Sequence, residues 1–442
     1  MIRNRQAMYL TRALIGMLVL AVSLVQDALA GSRLPCSHAA VFSAAAVNAI
    51  VLPYRYETKV GFDKDSAGTQ LSALIQQETL FSMLKYGSVG ATEIISNNGE
   101  ICDVRDVIDQ ITRDTDRSLR SGHGVALIWG RIYEEGSQIY VQSYIRFFRR
   151  DIAETLQVDL PGHTDRELHL NGSLPSQAIA LLPRRFTRND LEEIEQRLAE
   201  TLRIHKTPDD AASSEPLAES PYEPLMYGVV DVAGDWMKIR SYITGKEGWV
   251  RPRTETDSWW LRRFLPELSY LEGVIAYLRL RVATEIPLSR DPRDVYGWMH
   301  RAFSEYEKAV GKDSVPEAFG LADAMMGMVS YAQPDLLGGR NQAAEIFQRM
   351  LAQMPASAGA RELAAITYPL LKTPAVANKK TLDKLNRDLL GALALSPTRK
   401  SLLQNLEQLY GFIDNAEETE LYEPRELRAR LVAIKKAIRE IP

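Results

Sequence analysis

The sequence predicts a multi-domain α+β protein, with an N-terminal α/β domain, a small antiparallel β-barrel and a C-terminal all-α region of helical repeats. Three observations predict this order. The chain has 442 residues, which is long for a single hydrophobic core. A segment rich in Pro, Ser and acidic residues covers 206–221. Beyond residue 259 the apolar residues recur almost throughout with the spacing of helices.

Residues 1–30 predict a cleavable secretory signal peptide. Arg3 and Arg5 precede an apolar run at 13–25, and small residues end at Ala30, where we expect cleavage. The apolar run is shorter than the roughly 20 residues that span a bilayer, although an uncleaved membrane anchor is the alternative. The mature chain is therefore expected to be periplasmic or secreted and to have no stable membrane span.

The charge of the mature chain is mildly acidic. Removal of residues 1–30 takes away three arginines and Asp27, which leaves 50 basic and 56 acidic residues and a formal charge of −6. Such a balance gives no electrostatic reason to expect a nucleic-acid partner.

The chain has two cysteines, Cys36 and Cys102. Export places them in a compartment where disulfides persist, so we expect them to pair, with two buried thiols as the alternative. Their spacing is far too long for a redox CxxC pair. The two cysteines are thus expected to have a structural role.

The first domain is predicted to cover 36–205 and to mix strands with helices. Two β-rich runs, 125–133 and 139–148, are joined by a turn at 134–137 and predict a hairpin. The other predicted elements of this domain are strands at 48–54 and 92–96 and helices at 69–86, 103–119 and 188–205.

The order of these elements resembles the small α/β domain of the Tol-system periplasmic propeller protein and of curli-secretion-type lipoproteins. The resemblance rests on the VLPY opening, the helix and strand that follow, and the run GVALIWGRIYEEGSQIYVQSYIRFF with Gly130 and Gly136. It implies a domain that contacts other proteins and has no chemistry of its own.

Residues 206–221 are predicted to be a linker, and 222–256 a small β-barrel. Short strand-like runs are interrupted at Gly234 and between Gly245 and Gly248, as expected of tight turns in a small barrel. A barrel of this size has a small core, and two tryptophans supply the large apolar side chains that fill it.

The segment YGVVDVAGDWMKIRSYITGKEGWV resembles the bacterial Src-homology-3-type domain. The Gly-x-Trp-x-Lys-Ile-Arg run and the Gly-x-x-Gly-Trp-Val run carry the resemblance, whereas the family's usual opening is absent. Aromatic-lined barrels of this type receive extended ligands, so an aromatic set is the candidate ligand-binding site, with barrel core as the alternative. Its members are Tyr227, Trp236, Tyr242 and Trp249.

The region 259–442 is predicted to be a helical repeat array. The predicted helices are 266–282, 294–310, 317–331, 341–354, 360–371, 381–395 and 400–412. MLAQMPAS and ALALSPTR share a helix end followed by Pro at an offset of 42 residues, which resembles degenerate tetratricopeptide-type repeats. A plain helical bundle is the alternative. Repeat arrays present extended binding surfaces, so this region is expected to bind a partner.

No catalytic or metal-binding motif is present in the sequence. It has no pair of histidines at helical i, i+4 spacing, no nucleophile elbow and no phosphate-binding glycine loop. We therefore expect a non-enzymatic binding protein without cofactor or metal, with an envelope protein or peptidoglycan as its partner. The alternative is a cell-envelope enzyme of the cell-wall hydrolase type, in which the barrel only targets the enzyme.

Overall fold

The structure is a computed structural model of the chain. It describes residues 47–62, 92–96, 124–149, 155–193, 203–217, 226–251, 262–282, 291–414 and 423–441, with short gaps, together with Leu71, Ile75 and Thr79. In this part of the chain the protein is mixed α+β, with its helices concentrated at the C-terminal end.

One large mixed sheet and one separate hairpin contain all the described strands. The large sheet has the order β10-β6-β5-β1-β4-β13-β14-β15-β11-β12, with β2, β3 and β9 attached beside this path, and β7 and β8 form the hairpin. The strands are β1 Val47–Val51, β2 Arg55–Thr58, β3 Gly61–Phe62, β4 Thr92–Ser96, β5 Gly124–Glu135, β6 Gln138–Arg149, β7 Thr155–Pro161, β8 Glu167–Ser173, β9 Ile179–Ala180, β10 Arg184–Phe186, β11 Arg203–His205, β12 Ser214–Pro216, β13 Met226–Ala233, β14 Trp236–Ser241 and β15 Glu247–Val250.

The N-terminal part of the sheet confirms the predicted strands. β1 lies between β4 and β5 and is parallel to both. β5 and β6 form the predicted antiparallel hairpin, and Gly136 at its turn has a φ of 65°. Leu71 and Ile75 are helical and fully buried, as expected for the core-facing side of the predicted helix 69–86. The predicted helix 103–119 lies outside the described residues.

Because Gly130 has no side chain, an aromatic ring can pack directly against the backbone of β5. The ring of Tyr54 lies where a side chain at residue 130 would stand: a Cβ there would be 1.9 Å from Tyr54 Cε1 and 2.7 Å from the carbonyl oxygen of Gln142. The Tyr54 hydroxyl shares a 2.9 Å hydrogen bond with Ser143 Oγ on β6, and both residues are buried. Burial raises the pKa of this phenol well above its usual value. The glycine is thus required by close packing.

We expect Gly130→Ala to lower the free energy of unfolding by about 3 kcal/mol, because the new methyl group meets a buried ring and a backbone oxygen that cannot both move aside. Chemical denaturation would measure the change. Gly297→Ala is the matched control, since a Cβ at this helical glycine has no neighbour within 4 Å, and it should leave stability unchanged or slightly higher. An equal, small effect of both variants would contradict this packing argument.

The predicted barrel is not found as a closed barrel among the described residues. β13, β14 and β15 form an antiparallel meander, and β13 pairs with β4 through Met226, Tyr227 and Gly228. Three short strands cannot close on themselves, and the free edge of β4 offers backbone groups that need partners. The meander therefore extends the N-terminal sheet.

Two local predictions are corrected by the structure. The predicted linker 206–221 contains a strand, since β12 pairs with β11, and Leu217 is buried. The predicted helix 188–205 does not reach its predicted end, because Arg203–His205 forms β11 and His205 pairs with Trp249 on β15. The leucines before Arg203 recur at helical spacing, so the sequence does not indicate that the backbone becomes extended at this point.

The C-terminal region is helical, as predicted. Its helices are α1 Glu267–Val282, α2 Pro292–Val310, α3 Pro316–Ala332, α4 Gly339–Gln353, α5 Ala358–Thr367, α6 Lys379–Leu395, α7 Lys400–Asp414 and α8 Pro424–Glu440, with a 3₁₀ turn at Tyr368–Leu371. The first seven match the predicted helices to within a few residues. Only Leu427 and Ile434 of α8 are buried. The spacing of apolar residues therefore did not predict this helix.

The helices form an inner and an outer layer. The inner helices α1, α3, α5 and α7 pack on the β-strands, whereas the outer helices α2, α4, α6 and α8 pack on the inner ones. All residues of α3 from Ala318 to Ser330 are buried, as expected of a helix covered on every side. α3, α5 and α7 begin at residues 316, 358 and 400, so each starts 42 residues after the one before. This spacing equals the offset found in the sequence.

The hairpin β7–β8 covers the inner helices. β7 packs on α3, and β8 packs on α5 and α7. Gly172 lets the strand approach closely, since a Cβ there would be 2.6 Å from Ile366 and 2.7 Å from Leu363. Asn405 fixes the register: its Nδ2 donates to the Asn171 carbonyl at 2.6 Å, and its Oδ1 accepts from the Asn171 N–H at 2.8 Å. The hairpin thereby becomes an integral part of the helical region.

Candidate functional site

The structure separates the aromatic residues that the sequence grouped as a ligand site. Trp236 on β14 is 8% exposed, and its indole packs edge-on against His205 with ring centroids 5.1 Å apart. Trp249 on β15 is partly exposed. Tyr227 pairs with Ile94 and Ser241 through its backbone. The side chain of Tyr227 and all of Tyr242 lie outside the described part of the structure.

The remaining predicted positions are not described. Cys36, Cys102 and the cleavage position Ala30 all precede or fall between the described segments. Within the described segments, no group of three or more His, Cys, Asp and Glu residues is placed to hold a metal ion. None of the described helices combines the length and the apolar character needed to cross a membrane.

A pocket of about 150 Å³ opens between α2, α3 and α4. Residues spaced three or four apart share one face of a helix, and each of the three helices contributes one such face. The lining residues are His300, Phe303, Ser304 and Glu307 from α2, Phe319, Ala322, Asp323 and Met326 from α3, and Arg349 and Gln353 from α4. We call this the outer-layer pocket.

An ion pair forms one wall of the outer-layer pocket. Arg349 donates from Nη2 to Asp323 Oδ1 at 2.7 Å and from Nε to both carboxylate oxygens at 3.2 Å. The Asp323 side chain is 12% exposed and that of Arg349 is 50% exposed. The hydrogen bonds to Asp323 raise the pKa of the Arg349 guanidinium, so the guanidinium stays charged. A fork-like pair of this kind holds both side chains in a fixed geometry.

Gln353 contributes an unsatisfied acceptor to the outer-layer pocket. Its Oε1 is buried and has no hydrogen-bond donor in the described structure. An unsatisfied buried polar atom costs about 1–3 kcal/mol relative to one that forms a hydrogen bond. His300 is exposed at the pocket rim, while the Phe303 and Phe319 rings are buried and apolar. The arrangement combines hydrogen-bonding groups with an apolar surface, which suits recognition of a side chain.

The sequence contains one signal that points to the outer-layer pocket. The stretch PEAFGLADAMMGMVSYA of α3 has only two charged residues, Glu317 in its first turn and Asp323 at its centre. A carboxylate in the middle of a buried helix requires a partner or a function. Its partner, Arg349, lies 26 residues away, so helical spacing alone could not identify the pair.

A second group of buried titratable residues lies between the sheet and α1. Glu267 is 1% exposed, and neither of its carboxyl oxygens has a hydrogen-bond partner within ordinary geometry. Burial raises its pKa to about 8, although the positive charge of Arg184 acts in the opposite direction. Tyr54 and Tyr306 lie close enough to feel its charge. Because solvent does not reach Glu267, we assign it a role in stability and not in binding.

Comparison with known proteins gives no relative: no protein-family model, no curated protein and no solved structure matches the chain.

Proposed function

We propose that the chain is an exported, non-enzymatic binding and scaffold protein that holds an envelope protein or peptidoglycan partner in the periplasm or outside the cell. The charged start of the sequence, its apolar run and the small residues before Gly31 support export. We further propose that the β13–β15 meander belongs to a Src-homology-3-type domain and the helix pairs to a tetratricopeptide-like array. The layered packing of helices spaced 42 residues apart supports the second assignment.

One observation carries this proposal: the inner face of the helical region is covered, and an outer pocket is open. Repeat arrays bind partners with a surface formed by successive helices. Here the strands occupy the inner surface, and every residue of α1 from Glu267 to Leu280 is buried. The outer-layer pocket, by contrast, opens beside the half-exposed Arg349. We therefore place partner binding at the outer layer.

A capture experiment with an arginine substitution tests this placement. The chain 31–442 is immobilised and exposed to an envelope-protein extract and, separately, to purified sacculi. In Ser304→Arg the long side chain would fill the pocket, and retention of the partner should fall at least tenfold. Ala309→Arg is the matched control, because Ala309 is exposed on the same helix and does not line the pocket. It should retain the partner as the unmodified chain does.

Two results would contradict the proposal. If the unmodified chain retains nothing from either source, a scaffold function is wrong. If Ser304→Arg retains as much partner as Ala309→Arg, binding occurs elsewhere on the chain. Circular dichroism of both variants shows that a loss of retention does not come from unfolding.

A further inference from the structure

We propose that the outer face of α8 docks the chain on the surface of a membrane that contains anionic phospholipids. The proposal concerns a second surface of the protein and does not depend on the outer-layer pocket. The charge of this helix face, its exposure and the straight arrangement of its residues support the proposal.

The helix α8 carries a positive charge that the rest of the chain lacks. Within 424–440 six residues are basic and two are acidic, so the formal charge of the helix is +4. The mature chain as a whole has a formal charge of −6, which leaves −10 for all its other residues. A basic helix on an otherwise acidic chain indicates a partner that carries negative charge.

Four basic residues lie in one line along the exposed side of α8. Positions three and four apart share a face of a helix, and steps of three, four, four and three residues join the members of this line. We call them the basic stripe: Arg425, Arg428, Val432, Lys436 and Arg439. All five are exposed, whereas Leu427 and Ile434 on the other side are buried. Among the described elements, the main packing partner of α8 is α7, so the stripe faces outward.

The cations of the basic stripe are available to an external partner. Within the described part of the chain, no ion pair involves Arg425, Arg428 or Arg439. Lys436 Nζ lies 3.8 Å from Glu440 Oε1, and the two side chains are 76% and 66% exposed. An ion pair as exposed as this one contributes little to stability. The basic stripe can therefore contact an external anion without the loss of a buried interaction.

The shape of the basic stripe suits a flat partner. Arg425 and Arg439 lie about 21 Å apart along the helix axis, at 1.5 Å for each residue. A planar surface contacts all positions of a straight stripe at once, and each cation near an anionic bilayer strengthens adsorption about fivefold. The apolar member, Val432, is 68% exposed at the centre of the stripe, where it can reach the boundary between headgroups and acyl chains. The helix would thus lie on the bilayer surface.

Cosedimentation with vesicles tests the proposal. The chain 31–442 is used, because it lacks the apolar run 13–25. Vesicles of phosphatidylcholine alone are compared with vesicles that contain about 30% phosphatidylglycerol. At low salt we expect the chain to bind the anionic vesicles at least tenfold more tightly, and about 0.5 M salt should release it, because screening shortens the reach of the charges. Equal binding to both kinds of vesicle, or no binding to either, would overturn the proposal.

A double variant identifies the basic stripe as the source of the binding. Arg428→Gln with Lys436→Gln removes two exposed cations and should weaken binding to the anionic vesicles at least tenfold. Arg301→Gln with Lys308→Gln is the matched control, since it removes two exposed cations from the outer helix α2, and it should bind as the unmodified chain does. Circular dichroism verifies that both variants are folded. Equal binding by the two double variants would place the membrane contact elsewhere and overturn the assignment.

An acidic protein and a second copy of the chain are the competing partners of the basic stripe. Soluble polyglutamate tests the first, and sedimentation equilibrium of the chain alone tests the second. Binding of polyglutamate without binding of anionic vesicles would overturn the proposal, and so would a dimer that is lost in the α8 double variant while vesicles are not bound. The proposed function fails separately, because the α8 double variant should still retain a partner that binds at the outer-layer pocket.

Discussion

Glu362→Ala is expected to lower the free energy of unfolding by about 3–5 kcal/mol, because it removes the acceptor at the centre of a buried network. The Glu362 side chain is fully buried. Its Oε2 accepts from Arg399 Nε at 2.7 Å and from Ser401 Oγ at 2.9 Å, and its Oε1 accepts from Asn405 Nδ2 at 3.0 Å. Burial raises the pKa of this carboxyl even though Arg399 acts to lower it. The variant would remove the acceptor of Arg399 Nε and one of the two acceptors of Asn405 Nδ2.

The same change should loosen the hairpin from the helices. Asn405 also holds the backbone of Asn171, and Arg399 Nη2 reaches Ser173 Oγ at 3.2 Å, so the network joins α5 and α7 to β8. Chemical denaturation measures the loss of stability, and amide exchange of 167–173 reports on the hairpin. Glu345→Ala, at an exposed position of α4, is the control and should change stability by less than about 0.5 kcal/mol. Equal stability of both variants would show that the network does not hold the layers together.

Glu267 is expected to make the chain less stable as the pH rises from about 4.5 to 8. Burial raises the pKa of its carboxyl from 4.5 to about 8, so the folded chain holds a proton that the unfolded chain releases in this interval. The free energy of unfolding therefore falls with increasing pH, and a shift of this size corresponds to about 5 kcal/mol over the whole interval. Burial raises the pKa values of the neighbouring Tyr54 and Tyr306 far above this interval.

Glu267→Gln should remove this pH dependence, because the amide keeps the shape of the acid and does not ionise. The variant should be more stable than the unmodified chain at pH 8 and nearly equal to it at pH 5. Melting temperatures measured at intervals from pH 4 to pH 9 would show the two curves separating. Glu317→Gln is the matched control: Glu317 lies in the first turn of α3, as Glu267 does in α1, but it is exposed. Parallel curves for the unmodified chain and Glu267→Gln would reject a buried, neutral carboxyl.

The helices could be predicted from the sequence because their determinants are local. The predicted helix at 294–310, for example, is α2, which begins with Pro292 in its first turn and is capped by Asp291. Helical spacing of apolar residues and turns with Pro set such bounds within short stretches. α8 escaped prediction because only two of its residues are buried.

The arrangement of the strands could not be predicted, because it depends on partners far apart in the sequence. Nothing local in β4 shows that Ile94 would pair with Tyr227. The hairpin β7–β8 was not predicted either, although Leu156, Val158 and Leu160 alternate with polar residues as expected of a half-buried strand. The stretch is short, and the helices that cover it follow more than a hundred residues later.

The candidate site lies on the helices and not on the predicted meander, because its residues also come together from distant parts of the sequence. Trp236 was predicted as a ligand contact from its neighbours in the sequence, yet it is buried against His205, a residue of a strand that the sequence predicted to be helical. The outer-layer pocket takes its residues from three helices between residues 300 and 353. Only Asp323, a buried charge in an apolar helix, marked it in the sequence.

The most direct test of partner binding at the outer layer is hydrogen-exchange mass spectrometry of the chain 31–442 with and without its captured partner. We expect slower exchange on binding in the segments 300–307 and 349–353, with no change in 236–250. Protection confined to 236–250 would instead assign binding to the meander and contradict partner binding at the outer layer.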